Sequence, residues 1–207
     1  MNERLNLDNI TIKYADKLII NNVSLKANSG EMIFITGTNG SGKSTLIRGI
    51  AGLIPLSSGQ IERFGRISYV PQIEEADRDF PAKVIEIILT GTQRPGQIFY
   101  SKHDKELAKN LLNELKISDL AEHEIKTLSG GQLKRVFIAR ALCGEPDILL
   151  LDEPCAGLDS EAHDILFTIL RKKISEGCLI LMVTHDDSDL DGIRNSRVIK
   201  LSHGRII

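Results

Sequence analysis

The stretch "EMIFITGTNGSGKSTLIRGIAGL", residues 31–53, decides the fold. It opens with a short apolar run, "MIFIT", which is typical of a buried strand, and it continues through glycines into an apolar-periodic segment that predicts a helix. Further buried-strand patterns at 148–151 and 178–183 alternate with helical ones. We therefore expect an α/β protein with a mostly parallel sheet and helices on its faces.

The glycine loop fits the phosphate-binding pattern GxxxxGK(S/T). Its glycines leave room for backbone N–H groups to wrap phosphate oxygens, and the helix that follows adds its positive end. In this pattern the Lys43 amine reaches the β- and γ-phosphates, and the Ser44 hydroxyl binds Mg²⁺. The residues predicted to hold the nucleotide here are Gly37, Thr38, Asn39, Gly40, Ser41, Gly42, Lys43, Ser44 and Thr45.

Two acids close the apolar strand pattern "DILLLDEP", residues 147–154. Asp152 can hold Mg²⁺, directly or through water, and Glu153 can polarise a water molecule for attack on the γ-phosphate. Alone, such a pair is weak evidence, because a solvated strand end often carries acids. Together with the upstream phosphate loop, it predicts transfer of a phosphoryl group to water.

Composition and charge describe an ordinary globular protein. The 207 residues are 26% charged and 42% hydrophobic, with a formal net charge of -2, which argues against a nucleic-acid partner. The longest apolar runs are too short to cross a bilayer, and the N-terminal segment lacks the features of a signal peptide. The cysteines form no CxxC pair, so their spacing supports neither a zinc site nor a disulfide framework. We expect reduced thiols in or near the core of a cytosolic protein: Cys143, Cys155 and Cys178.

From about residue 81 to 127 the patterns are helical rather than alternating. In "KELAKNLLNELKI" the leucines share one helix face, and 92–104 is expected to be a loop. We expect one domain, 1–207, with a helical subdomain at about 78–143 inserted into the α/β core. The last residues predict a hairpin with His203 and Gly204 at its turn. His103, His123, His163 and His203 are expected to be surface residues.

At this point the chain resembles, over nearly all of its length, the ATP-binding subunit of an ABC (ATP-binding cassette) transporter. The pentapeptide "LSGGQ", residues 128–132, matches the signature sequence of that family and lies between the phosphate loop and Asp152. The resemblance implies a P-loop NTPase fold of the ABC ATPase type, with a mostly parallel sheet, an inserted helical subdomain and N-terminal antiparallel strands. It also implies an ATPase coupled to transmembrane transport, with ATP and Mg²⁺ as ligands.

The resemblance also assigns single residues. Gln72 in "YVPQ" matches a glutamine that binds the metal and couples subunits, and His185 in "VTHD" matches a histidine that contacts the γ-phosphate. Asp159 in "AGLD" matches the D-loop aspartate, and Tyr14 stands where the family stacks an aromatic ring on adenine. The alternatives are a strand-ending glutamine, a core histidine and a strand-packing tyrosine. The catalytic residues implied are Lys43, Glu153, Asp159 and His185; the metal ligands are Ser44, Gln72 and Asp152.

The family arrangement explains why one chain carries two phosphate-holding helix starts. Two subunits, a homodimer or a pair of like cassettes, pack head to tail around ATP, and the signature of each caps the nucleotide in the other's phosphate loop. The signature residues implied to bind ATP are Ser129, Gly130, Gly131 and Gln132. Departures from the family pattern are Thr38, where proline is common, and Ala156-Gly157, where Ser-Ala is common.

A "DFP" segment at 79–81 and "AG" before Leu158 resemble the branch of the family that imports zinc, manganese or iron. The resemblance then implies integral membrane permease partners, an extracytoplasmic substrate-binding protein, and a cytoplasmic chain that is peripheral on the inner face of the cell membrane. Alternatives are a cassette of another small-solute importer or of an exporter, a non-transport ABC ATPase of DNA repair or translation, and an unrelated P-loop enzyme.

Overall fold

The computed structural model describes residues 2–15, 17–72, 81–94, 96–97, 99–190, 193 and 195–207. Its strands are β1 Glu3–Tyr14, β2 Lys17–Asn28, β3 Met32–Thr36, β4 Ser58–Arg63, β5 Ile67–Val70, β6 Ile148–Asp152, β7 Leu179–Val183, β8 Ser196–Ser202 and β9 Arg205–Ile206. Its α-helices are α1 Lys43–Ile50, α2 Val84–Thr90, α3 Lys102–Glu114, α4 Gly130–Cys143 and α5 Ser160–Ser175. Short 3-10 turns lie at Ser118–Leu120, Ile125–Thr127 and Asp187–Leu190.

A six-stranded sheet in the order β5-β6-β7-β3-β8-β9 forms the centre of the fold. Its strands pair in parallel, except that β8 and β9 form the predicted antiparallel hairpin. The carboxyl ends of β3, β6 and β7 therefore lie side by side at one edge, where ligands bind in open parallel sheets. The predicted fold class is confirmed.

A second sheet is antiparallel and three-stranded, in the order β2-β1-β4. β1 and β2 are the expected N-terminal strands, each 12 residues long. The strand β4, "SGQIER", is not predicted by the sequence pattern, because only Ile61 in it is even partly buried and its residues show no apolar alternation.

The central sheet is covered on both faces by apolar groups. Met32 and Phe34 of β3 point into one cluster with α2, α3, α4 and α5, while Ile33 and Ile35 point into another with α1 and the antiparallel sheet. This alternation follows from the period of two in a strand. Thus α2, α3 and α4 share their core with one face of the sheet.

The helical block differs from the sequence expectation at one point. The segment 92–104 was expected to be a loop, but α3 begins at Lys102. Ser101 caps this helix through a reciprocal hydrogen-bonding box with Asp104, a signal that the sequence analysis overlooked. The proposed subdomain start near 78 and the first two residues of the "DFP" segment lie outside the described residues, so the boundaries 78–143 stay a prediction.

None of the helices in the described part of the chain has both the length and the apolar character that a membrane crossing requires.

Candidate active site

The phosphate loop between β3 and α1 depends on glycine at particular positions. Gly37 has φ 143°, and a Cβ there would lie 2.2 Å from the Leu201 carbonyl oxygen. Gly42 has φ 105°, and its Cβ would lie 2.9 Å from a methyl carbon of Ile20. Both backbones adopt conformations that side chains rarely tolerate, so the loop shape requires these glycines.

Lys43, the first residue of α1, folds back over this loop. Its Nζ donates hydrogen bonds to the carbonyl oxygens of Gly37, at 2.9 Å, and Thr38, at 3.1 Å. Burial lowers the pKa of this ammonium group, whereas the nearby Glu153 and Asp152 carboxylates raise it. The loop thus holds a cation next to two acids.

Asp152, at the end of β6, is fully buried. The Ser44 hydroxyl donates to its Oδ1 at 3.0 Å, and the Tyr69 hydroxyl donates to its Oδ2 at 3.4 Å. Burial raises the pKa of Asp152, and the hydrogen bond from Ser44 partly opposes that shift. The sequence pattern did not predict a role for Tyr69, because it resembles any other residue of the short strand β5.

Glu153 follows with a left-handed backbone, φ 52°. Its Oε1 lies 2.9 Å from Nε2 of His185, and Nε2 of Gln72 donates to its Oε2 at 3.4 Å. The three side chains come from the loops after β6, β7 and β5, which the sheet places at one edge. The structure therefore places the predicted glutamine and histidine on either side of the Glu153 carboxylate.

A cleft of about 760 Å³ opens beside these groups. Ser41 of the loop has a buried hydroxyl oxygen without a hydrogen-bond partner in the described structure, but this residue does not belong to the described lining of the cleft. The residues that line the cleft are Lys17, Ile19, Asn39, Gly40, Gly42, Lys43, Ser44, Thr45, Gln72, Glu153 and His185.

Tyr14 lies at the rim rather than in the cleft. It ends β1, pairs in register with the cleft residue Lys17, and is 80% exposed. An exposed aromatic ring beside a phosphate loop can stack on a flat heterocycle.

The signature residues lie elsewhere. Ser129 caps α4: its Oγ accepts from the backbone N–H of Gln132 at 3.3 Å, and the Gln132 side chain accepts from the Ser129 N–H at 2.9 Å. Within the described residues, the four signature positions 129–132 are absent from the lining of the phosphate-loop cleft. Asp159 similarly caps α5, accepting from the Ala162 N–H at 2.8 Å.

Lys134 lies on α4, the helix that begins with the signature residues, and it was not predicted to have a role. It joins α4 to the turn after β6 that carries Glu153, here called the catalytic turn. Its buried Nζ donates to the Glu153 carbonyl oxygen at 3.1 Å and to the Ala156 carbonyl oxygen at 2.5 Å. Burial lowers the pKa of this lysine. The sequence did contain a signal of a special role for this lysine. It lies on the apolar stripe of the helix with Ile138 and Ala141, where a lysine is unusual.

Three comparisons relate this geometry to known proteins. The family model described as "ABC transporter" matches residues 20–156. The manganese transport system ATP-binding protein MntB of Bacillus subtilis (strain 168) is 42% identical over 192 residues, which covers 87% of this chain and 76% of that protein. The zinc transport system ATP-binding protein TroB of Treponema pallidum (strain Nichols) is 35% identical over 195 residues, covering 87% of this chain and 71% of that protein.

Among solved structures, a nucleotide-free ATP-binding cassette from an ABC transporter superposes with a TM-score of 0.82 at 29% identity. The match covers 99% of this chain and 90% of the other.

Proposed function

The chain belongs to the ABC transporter family, and on that premise we propose that it is the ATP-hydrolysing subunit of an importer of divalent transition-metal ions. Its ABC domain makes it an ATP-binding ATPase. The metal assignment is supported by the manganese and zinc transport names of its relatives. The observation that carries the mechanism is the Glu153 carboxylate, held between Gln72 and His185 at the mouth of the phosphate-loop cleft.

In the proposed mechanism the loop N–H groups and Lys43 bind the phosphates. Glu153 accepts a proton from the attacking water and orients it, and His185 donates a hydrogen bond toward the γ-phosphate. Gln72 holds the other oxygen of Glu153 and so connects the water to the loop after β5. Asp159, which caps the start of α5 just after the turn that carries Glu153, is proposed to act in the same catalytic site.

The residues present fit a magnesium ion. Adjacent oxygen ligands of octahedral Mg²⁺ lie about 2.9 Å apart, since each bond is about 2.0–2.1 Å long. The oxygens of Ser44 and Asp152 are 3.0 Å apart, and Gln72 completes the proposed ligand set. When bound, the ion supplies positive charge that neutralises the β- and γ-phosphate oxygens.

We further propose that two like cassettes complete each ATP site. Support comes from the exposure of Ser129 and Gly130 at a helix start that does not line the cleft of the same chain, as far as the described residues go. A helix N-terminus with free N–H groups favours an anion, so the signature of one copy suits the γ-phosphate held by the other. Tyr14, at the rim, would stack on the adenine.

Membership of the ABC transporter family also suggests which proteins this chain binds. A transporter needs membrane-spanning subunits, so we propose a pair of integral permease subunits and a substrate-binding protein outside the membrane. The chain would then act from the cytoplasm, bound peripherally to the inner face of the cell membrane.

Metal uptake tests this function. Cells that lack the chain are expected to lose most of their uptake of radioactive manganese or zinc, and the parental chain, but not Glu153→Gln, is expected to restore it. Unchanged uptake of both metals in the deleted cells would overturn the metal assignment in favour of another small solute or of export.

A further inference from the structure

Cys155, His163 and Asp189 lie together outside the phosphate-loop cleft. His163, which the sequence predicted to be a surface residue, is half-buried, and its Nε2 lies 2.7 Å from Oδ1 of the buried Asp189. One ligand atom from each of the three residues lies within 4.8 Å of the others. They come from the turn after β6, the first turn of α5 and the 3-10 turn Asp187–Leu190.

We propose that Cys155 Sγ, His163 Nε2 and the Asp189 carboxylate form a binding site for Zn²⁺. Sulfur, imidazole nitrogen and carboxylate oxygen are the donor atoms that zinc prefers, and three protein ligands leave a fourth position for water. A thiolate ligand favours zinc over Mn²⁺ and Mg²⁺. The expected ion is thus distinct from the Mg²⁺ that accompanies ATP.

The geometry needs only small side-chain shifts. With tetrahedral angles and bonds of about 2.0–2.3 Å, ligand atoms of zinc are about 3.3–3.7 Å apart. The contact of 2.7 Å between His163 and Asp189 must widen by roughly 0.6 Å, and the Cys155 sulfur, which lies within 4.8 Å of the other two ligand atoms, must come to about 3.3–3.7 Å from each of them. Binding therefore replaces the hydrogen bonds that Asp189 makes with His163 and with the Cys155 thiol by metal–ligand bonds.

The ligands are already oriented by neighbours. The Thr184 hydroxyl donates a hydrogen bond to Oδ2 of Asp189, which leaves Oδ1 for the site. The ring of Phe167 stacks on His163 with centroids 4.5 Å apart and fixes the plane of the imidazole. In known metal sites, groups that hydrogen-bond to the ligands, as Thr184 does here, raise the metal affinity by about 10–100-fold.

The surrounding charges also suit a dication. Asp186 lies beside the thiol, and Asp164 Oδ1 lies 3.9 Å from Nδ1 of His163; Lys134 is the opposing cation near the sulfur. Burial raises the pKa of Cys155, with Asp189 adding to the shift, so the metal-free group is a neutral thiol. Zinc binding forms the S–Zn bond and breaks the S–H bond, and the thiol proton leaves to solvent. It also removes the proton that lies between His163 Nε2 and Asp189 Oδ1, and the neutral imidazole then keeps its one proton on Nδ1.

The site can influence hydrolysis because it shares a cleft with the catalytic groups. This cleft of about 630 Å³ is lined by Cys155, Asp189, Glu153 and His185, and Thr184 directly precedes His185. Zinc would tie the turn that carries Glu153 to the segment that carries His185, so occupancy is expected to slow hydrolysis. This consequence, which rests on the proposed function, would let metal inside the cell restrain its own import.

Cobalt binding tests the site directly. Untagged protein without nucleotide, in a non-thiol reductant, is titrated with Co²⁺ and then with Zn²⁺. We expect one equivalent of Co²⁺, a near-ultraviolet thiolate-to-cobalt band, and displacement by Zn²⁺ but not by Mn²⁺ or Mg²⁺. Cys155→Ser should abolish the band and His163→Gln should weaken binding at least tenfold, whereas Cys178→Ser and His123→Gln should behave like the parent.

Thermal melts show whether each variant is folded, and a folded Cys155→Ser that binds cobalt like the parent would overturn the proposal. A second measurement separates regulation from binding: at saturating MgATP, free zinc should slow the parent and Cys178→Ser severalfold but not Cys155→Ser. Equal inhibition of all three would place the inhibitory metal elsewhere and overturn the regulatory step. Because the first titration contains no nucleotide, its failure leaves the ATPase function intact.

Discussion

At the scale of single residues, the proposed mechanism of hydrolysis depends on the placement of one carboxylate. Glu153 adopts a left-handed backbone conformation, which costs a residue with a side chain about 1–2 kcal/mol. Its side chain is held by Gln72 and His185, and its carbonyl oxygen accepts from Lys134. Contacts from three separate loops and helices thus hold a conformation that the residue would not adopt by itself.

Glu153→Gln tests the role of this carboxylate. The amide keeps the size of the side chain but cannot accept a proton, so ATP hydrolysis is expected to fall by about 10²–10⁴-fold while ATP still binds. Phosphate release and nucleotide titration measure the two effects, with the exposed Glu122→Gln as the matched control. A variant that hydrolyses ATP at the parental rate would remove Glu153 from its proposed role.

Lys134→Met tests the link from α4 to the same turn. Methionine keeps the volume but leaves the carbonyl oxygens of Glu153 and Ala156 without their donor, which is expected to lower the free energy of unfolding by about 1–3 kcal/mol. Because Glu153 is then less well placed, kcat should fall while KM for ATP stays close to the parental value.

Two comparison variants complete this test. Lys134→Gln retains a donor and should recover part of the lost kcat, and the exposed Lys172→Met should change neither quantity. If Lys134→Met lowered stability but left kcat intact, the lysine would be structural only.

At the scale of elements, the C-terminal hairpin forms the floor of the phosphate loop. The Gly204 N–H, in the turn between β8 and β9, donates to the Ser41 carbonyl oxygen at 3.1 Å. The Gly204 carbonyl oxygen in turn accepts from the Asn21 N–H at 2.9 Å. This turn ties the phosphate loop to the second strand of the antiparallel sheet, far away in sequence.

Gly204→Ala tests that support. At φ 74° the new Cβ would lie 2.2 Å from the Ile19 carbonyl oxygen, so the turn must shift relative to Ile19, which is expected to disturb its hydrogen bond to Ser41. We expect Kd for ATP to rise about tenfold, or about 1.4 kcal/mol. Titration with a fluorescent ATP analogue measures it, and His203→Asn, which suits the positive φ of its own position, is the control. Equal affinities in the two variants would contradict the role of the hairpin.

The elements also show what sequence patterns can predict. The strands of the central sheet and the phosphate loop were predictable, because buried apolar runs and the glycine spacing carry strong local signals. β4 was missed because its side chains are mostly exposed, and the first turn of α3 because its capping box was overlooked. The bonding partners of Lys134 and the pairing of His163 with Asp189 lie on distant segments, so no local period predicts them, although the helical period does place Lys134 on an apolar stripe.

At the scale of the whole molecule, the proposed halves of the ATP site lie on different parts of one chain. The phosphate-loop cleft is formed at the edge of the central sheet, and the signature starts α4, whose core is shared with the other helices. Lys134 connects them through the catalytic turn. In the proposed dimer, α4 would therefore connect the signature, which meets the nucleotide of the other copy, to the turn that carries Glu153.

The dependence of specific ATPase activity on protein concentration tests the central claim most directly. If two copies complete each site, activity per milligram should fall on dilution, in proportion to concentration once most of the protein is monomeric, and should recover when the sample is concentrated again. Constant activity per milligram down to concentrations at which sedimentation finds monomers alone would show that one chain completes its own site, and would contradict the account.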